Sequence, residues 1–217
     1  MVEAKDTDWD NLTYMNGFGN HFESEAEKGA LIKGRNNPQK CPMDLYAEQI
    51  SGTPFTYAKH KNRRSWLYKI MPTCNHGPWN EIFEEESLWV SDFNRSANLT
   101  VSPSQMRWSP QDFIETTFIG SIRTMMGAGD PSMKDGLGIS YWACTKSMSD
   151  AKLAMYSADG DLLIVPESGV LRITTEFGRM RIGSKEICVI PRGVKFSVDL
   201  EGEKARGWMA ELFKGHF

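Results

Sequence analysis

The residues of this 217-residue chain that could hold a metal or move a proton are few and widely scattered. There are four histidines, His21, His60, His76 and His216, and no two lie close enough in sequence to share one strand face. A non-haem iron(II) centre of the two-histidine, one-carboxylate type needs imidazoles converging from facing strands. His21 falls in a Gly/Asn-rich stretch, His60 and His76 fall in polar turn-rich stretches, and His216 is next to the last residue. Each is expected to be a surface or satisfied histidine. Cys41, Cys74, Cys144 and Cys188 are far apart and form no C-x-x-C pair, which argues against a zinc ribbon or a dense disulfide framework and for free, buried thiols. Asp159-Gly160-Asp161 has the composition of a tight turn that opens a strand, and that reading outweighs a ligand role for Asp161.

The elements that would position these groups are predominantly strands. Segments Phe113–Met126, Leu137–Cys144, Leu153–Ser157, Leu162–Val165, Val170–Thr175, Glu186–Ile190, Lys195–Val198 and Gly207–Phe213 are short and rich in β-branched and aromatic residues, with Gly, Pro or Asp between them. That spacing predicts an all-β sandwich or barrel. Upstream, Trp66, Tyr68 and Ile70 alternate with Leu67 and Lys69, predicting a strand that Pro72 ends. Residues 1 to 60 lack sustained periodicity, yet carry Tyr14, Phe18, Phe22, Leu45, Tyr46, Ile50 and Phe55. They predict an extended arm lying against its own barrel or a neighbouring subunit, with the barrel itself over 61–217. Residues 73–112 contain Glu84-Glu85-Glu86 and several prolines; short strands near Glu86–Phe93 and Met106–Trp108 are the reading there, and the fold of the segment stays open.

Composition narrows the function classes. The net charge is −3 and the basic residues are spread along the chain, which argues against a nucleic-acid or membrane-surface partner. No uncharged apolar run approaches the ~18 residues of a membrane helix, and the first residues lack the apolar region of a secretory leader, so a cytoplasmic location is expected. In that compartment the sequons at Asn11, Asn94 and Asn98 carry no meaning.

From Ala154 to Phe196 the chain resembles the cupin barrel, whose two motifs are G-x5-H-x-H-x3-4-E-x6-G and G-x5-P-x-G-x2-H-x3-N. Asp161 stands where the first motif has its Glu, with Gly169 as its closing Gly one residue late, and Gly183 with Pro191-Arg192-Gly193 makes a second motif two residues longer than usual. Counting back from Asp161 puts Ala154 and Tyr156 at the two histidine positions, and counting on from Gly193 puts Phe196 at the third. The expected architecture is thus an all-β, cupin-like jelly-roll barrel with a long N-terminal arm, whose barrel binds no metal.

A second, longer resemblance covers almost the whole chain. Gly17-Phe-Gly-Asn20, Asn37-Pro-Gln39 with Cys41-Pro42, Leu45-Tyr-Ala-Glu-Gln-Ile-Ser-Gly52, Arg64-Ser-Trp-Leu-Tyr68, Gly127-Ala-Gly-Asp130, Asp159-Gly-Asp-Leu-Leu-Ile-Val-Pro166, Thr175-Glu-Phe-Gly178 and Glu186-Ile-Cys-Val-Ile-Pro-Arg-Gly193 occur in the order seen in homogentisate 1,2-dioxygenases. The resemblance implies the N-terminal half of an Fe(II) enzyme that opens the ring of homogentisate with O2 to give maleylacetoacetate, in tyrosine and phenylalanine breakdown. It also implies assembly as a hexamer, a dimer of trimers. Family members are about twice this long, and their iron ligands, two His and a Glu, and their general-base His lie in the second half. No catalytic or metal-binding residue therefore carries over, substrate-binding residues are unknown, and this chain alone is expected to bind no iron and to be inactive. The barrel is read as truncated at its C-terminal end, with unpaired edges and low solubility. Where members read Gly-Leu-His-Thr, this chain has Ser121-Ile122-Arg123-Thr124, a permanent charge in place of an imidazole. The competing reading is a stand-alone, non-catalytic cupin-like domain that binds a small ligand or another chain.

Overall fold

A computed structural model describes residues 9–14, 44–52, 58, 64–78, 89–94 and 103–217. His21, His60 and Cys41 lie outside the described residues, as do most of the arm's aromatic positions. The chain divides into two compact units, one of residues 14–81 and one of residues 1–13 with 82–217.

In the smaller unit, β1 (Tyr46–Gly52) pairs antiparallel with β2 (Arg64–Lys69). The strand expected from the Trp66, Tyr68, Ile70 alternation is therefore present, and its partner is a strand from the arm. Glu48 fastens the ladder to the turn beyond it. The Thr73 hydroxyl and backbone N–H both donate to the Glu48 carboxylate, and Lys69 lies 3.2 Å from it. The Thr73 hydroxyl bond is the main force that pulls Glu48 down to about 2, against its burial.

The larger unit is strand-rich and jelly-roll in kind, with two sheets that do not close into a continuous barrel. Its strands are β3 (Ile114–Thr117), β4 (Arg123–Asp130), β5 (Asp135–Lys146), β6 (Asp161–Ser168), β7 (Leu171–Thr175), β8 (Gly178–Ile182), β9 (Cys188–Ile190), β10 (Phe196–Leu200) and β11 (Ala205–Leu212). The large sheet runs β3-β5-β11-β6-β9, with β4 also on β5, and the small one runs β10-β7-β8. Alternation decides which side chains meet. In β11, Ala205, Gly207, Met209 and Glu211 face inward while the residues between them do not. Trp142 of β5, Ile164 of β6, Ile173 of β7 and Val198 of β10 have no exposed surface at all. Gly207 is required where β11 passes between its neighbours, because a Cβ there would stand 2.2 Å from the Val165 carbonyl and 2.7 Å from the Trp142 ring.

Several sequence-based expectations change in detail. The long strand expected over Phe113–Met126 breaks at a 3-10 turn, Ile119–Ser121, so that β3 and β4 join β5 from opposite directions. Leu153–Ser157 is not a strand; only Met155 bridges, to Phe196. β8 carries Arg179 and Arg181, and its polar outward positions hid it from an apolar search. Met106–Trp108 forms no strand, and neither do residues 89–93 of the other expected element. The latter are instead stitched across β4, with Val90 N–H donating to Thr124 Oγ1 at 2.7 Å and Phe93 N–H to the Gly129 carbonyl at 3.0 Å.

Residues 9–11 of the arm lie against their own chain. Arg172 and Arg179 place guanidinium carbons 5.6 and 5.5 Å from the Trp9 ring centroid, two cation–π contacts from β7 and β8. Arg181 pairs with Asp10 at 3.7 Å and holds Glu201 through two hydrogen bonds of 2.7 and 2.8 Å.

Candidate functional site

Three sets of residues could make a site: the positions a cupin uses for metal, the polar cluster at the start of β6, and the cavity beside Glu211. At the first, Phe196 is 2% exposed and sits in the hydrocarbon core, its ring 6.5 Å from Phe118, which in turn lies 5.2 Å from Trp142. Ala154 is exposed and Tyr156 partly so, whereas Met155 between them is buried against Phe196. The count from Asp161 therefore lands on one exposed and one half-exposed side chain, and the buried residue between them is a thioether. An aromatic and aliphatic interior of this kind does not fit iron, which asks for imidazole and carboxylate donors. Among the described residues no three His, Cys, Asp or Glu side chains gather in a way that could hold a metal ion.

Asp161 opens β6, as the turn reading of Asp159-Gly160-Asp161 expects, and both its oxygens are engaged. Oδ1 accepts from the Arg192 backbone N–H at 3.0 Å and from Arg192 Nε at 2.9 Å, and Oδ2 faces His216 Nδ1 at 2.9 Å. Burial pushes the carboxyl up, but the Arg192 and His216 hydrogen bonds outweigh it, and Asp161 titrates below its ordinary range. The rest of the Arg192 guanidinium reaches the carbonyls of Asp159, Leu212, Phe213 and Gly215. One arginine in the Pro-Arg-Gly turn thus ties the start of β6 to the end of β11. His76, by contrast, is exposed and contacts the adjacent Gly77 carbonyl. The buried-thiol expectation holds for Cys144 and Cys188, which burial pushes up to about 12, while Cys74 is exposed; all three are free.

Glu211 is the group that the motif search passed over. Its inward position on β11 places it 4% exposed, on the same strand face as Met209. The Ser157 hydroxyl donates to Oε1 at 2.5 Å, and the same oxygen of Ser157 accepts the backbone N–H groups of Asp159 and Gly160 at 3.1 Å each. With Trp89, Ser91, Tyr156, Ser157, Ala158 and Asp159 it lines a cavity of about 250 Å³. A Glu in line with the core-facing Ala205, Gly207 and Met209 of β11 was a readable signal. Its partners, more than 50 residues away, were not.

Burial raises the Glu211 carboxyl above its ordinary range; hydrogen bonds from Ser157 and Trp89 oppose this, and the Asp159 charge adds to it. An acid whose folded pKa is raised binds more protons folded than unfolded, so its contribution to stability falls as pH rises from the unfolded value near 4.3 to the folded one. Glu211→Gln is expected to abolish that fall and leave the protein more stable at pH 7 than the parent. Chemical denaturation at pH 4.5 and 7 checks this, and an unchanged pH slope would show that Glu211 is ionised in the fold.

A strand-rich jelly roll of this topology is cupin-like in fold. Among solved structures it is similar to a cupin-2 domain protein of Shewanella frigidimarina (17% identity, TM-score 0.34, 42% of this chain and 79% of that one). It is likewise similar to the Cnp3 cupin domain of Schizosaccharomyces pombe (15%, 0.36, 43% and 64%). The chain belongs to the homogentisate 1,2-dioxygenase N-terminal family, whose model matches residues 13–217. Homogentisate 1,2-dioxygenase of Dictyostelium discoideum is 50% identical over 207 residues, 94% of this chain and 46% of the relative. The homonymous proteins of Emericella nidulans (45% over 209 residues; 96% and 46%) and Arabidopsis thaliana (43% over 218 residues; 100% and 47%) give the same picture. The chain spans about half the length of the curated relatives it matches.

Proposed function

We propose that this chain is the scaffold and subunit-contact portion of a homogentisate 1,2-dioxygenase, and that it works by positioning an iron-bearing barrel supplied by the rest of the enzyme. The observation that carries this reading is the pairing of a family match over residues 13–217 with a barrel interior of Phe118, Trp142 and Phe196 where metal donors would be needed. In the complete enzyme, a homo-oligomer of the dimer-of-trimers kind acting in the cytoplasm, Fe(II) would supply the chemistry that cleaves the homogentisate ring with O2 to maleylacetoacetate, in tyrosine and phenylalanine catabolism. This chain's residues would supply rigidity: the Arg192 clamp fixes the direction in which the backbone leaves β11, and a close-packed interior of low compressibility resists deformation. Residues 1–217 incubated anaerobically with Fe(II), desalted and given homogentisate in air are expected to retain far less than one iron per chain and to consume no O2. Stoichiometric iron with homogentisate-dependent O2 uptake would overturn the reading. Reading the transcript beyond Phe217 tests the same point independently: His- and Glu-bearing sequence in frame supports it, and a stop codon favours a stand-alone binding domain.

A further inference from the structure

The face of the large sheet turned away from the core has a pattern of its own. Val189, Leu163, Ala210, Ile139 and Met126 are direct cross-strand neighbours and form one apolar row across β9, β6, β11, β5 and β4. A second row, Leu212, Leu137 and Ala128, lies beside it. Leu137 and Val189 keep 38% and 39% of their surface exposed, and Ile187, just before β9, keeps 64%.

The two ends of this face differ in charge. At one end Arg123 stands opposite Tyr141, and Tyr141 stands opposite Trp208 with the rings 5.0 Å apart. Among the described residues Arg123 Nε is buried without a hydrogen-bond partner, and so is the Nε of Arg206, although Arg206 Nη2 meets Glu167 at 3.0 Å. A buried donor with no acceptor costs roughly 1–3 kcal/mol, more when the group is charged, so the Arg123 guanidinium carries an unsatisfied donor that a partner acceptor would relieve. At the other end is Asp135, its side chain 64% exposed and its only ion pair among the described residues an exposed one with Lys214 at 3.1 Å. Tyr141 lies six residues beyond Asp135 along β5, about 20 Å of strand.

A face with a cation at one end, an anion at the other and hydrocarbon between is complementary to itself under a two-fold axis lying across the strands, which brings each end onto the opposite end of the copy. We propose that this face is an interface between two copies of this chain, closed twice over by Arg123 of each copy pairing with Asp135 of the other. The inference rests on the scaffold and subunit-contact reading above and assigns that contact to a particular surface.

Sedimentation velocity of residues 1–217 between 1 and 100 μM tests it, with circular dichroism confirming that each variant is folded. The parent should associate reversibly and more weakly at 0.5 M salt. Arg123→Glu and Asp135→Arg should each weaken association at least tenfold, the two together should restore it to within about threefold, and Ile139→Glu should abolish it. Association untouched by Ile139→Glu and Arg123→Glu would place the contact elsewhere and overturn the inference, while leaving the scaffold reading to the iron and transcript tests. A parent that stays monomeric at 100 μM would overturn it as well, as would a double variant no tighter than the singles.

Discussion

Replacing Trp142 by alanine is expected to cost about 3–5 kcal/mol, the range found when a fully buried large aromatic is truncated in a packed core. Trp142 has no exposed surface, its ring lies 5.2 Å from Phe118, and its indole N–H donates to the Trp208 carbonyl at 3.3 Å. Alanine would open a cavity at the centre of the larger unit and leave a carbonyl without its donor. Gly207 passes directly over the ring, so the backbone of β11 cannot close the gap without losing its pairing with both β5 and β6. Urea denaturation followed by far-ultraviolet circular dichroism gives the number. A loss under about 1.5 kcal/mol would mean that the interior is not packed around Trp142. Because the loss is a core effect, Trp142→Phe should recover most of it, failing only in the indole hydrogen bond and the difference in volume.

Arg192→Met is expected to cost nearly as much, about 3 kcal/mol, for an electrostatic reason. Removing one partner of a buried ion pair leaves the other as an uncompensated charge, and this costs more than the pair itself contributes. Asp161 is 3% exposed at its side chain and Arg192 22%, so the penalty falls on the carboxylate, with four backbone carbonyls losing a donor as well. The pH dependence separates this from a packing defect. Asp161 titrates below its unfolded value near 3.9, so its contribution is fully present above that pH and is lost as pH falls through the lower folded value. In Arg192→Met this acid-side loss should shrink or vanish, since the carboxyl no longer has its cation. A variant that loses stability equally at pH 7 and at pH 3 would show that the arginine acts through its aliphatic stem alone. Arg192→Met, Asp161→Asn and the double variant complete a cycle, and the coupling between the two positions should exceed about 1 kcal/mol.

Both residues were visible in the sequence for other reasons. Asp161 stood out as the one carboxylate on the cupin motif, and Arg192 as the middle of a turn signature; the bond between them spans 31 residues and has no local signal. The counting that located Ala154 and Tyr156 used a motif spacing, and the structure shows the cost of relying on it. A shift of one residue in an extended segment exchanges inside for outside. Met155 is buried, and the two counted positions are not. Arg123 was noticed as a departure from Gly-Leu-His-Thr, but the burial of its Nε on the strand beside Tyr141 depends on a ladder that only pairing creates.

What the sequence determined by itself is what depends on neighbours along the chain. Alternating β-branched and aromatic runs made most of the strands, Asp-Gly and Pro-Arg-Gly made the turns, and an ordered series of short segments placed the chain in its family. The tertiary structure decided what depends on register: that Phe196 closes the interior over Phe118, that burial raises the Glu211 carboxyl above its ordinary range among partners more than 50 residues away, and that Arg123 and Asp135 lie at opposite ends of one apolar face. The physical reason is that side-chain identity is local, whereas burial, dielectric and the presence of a charge partner are set by strands that meet only after the chain has folded back.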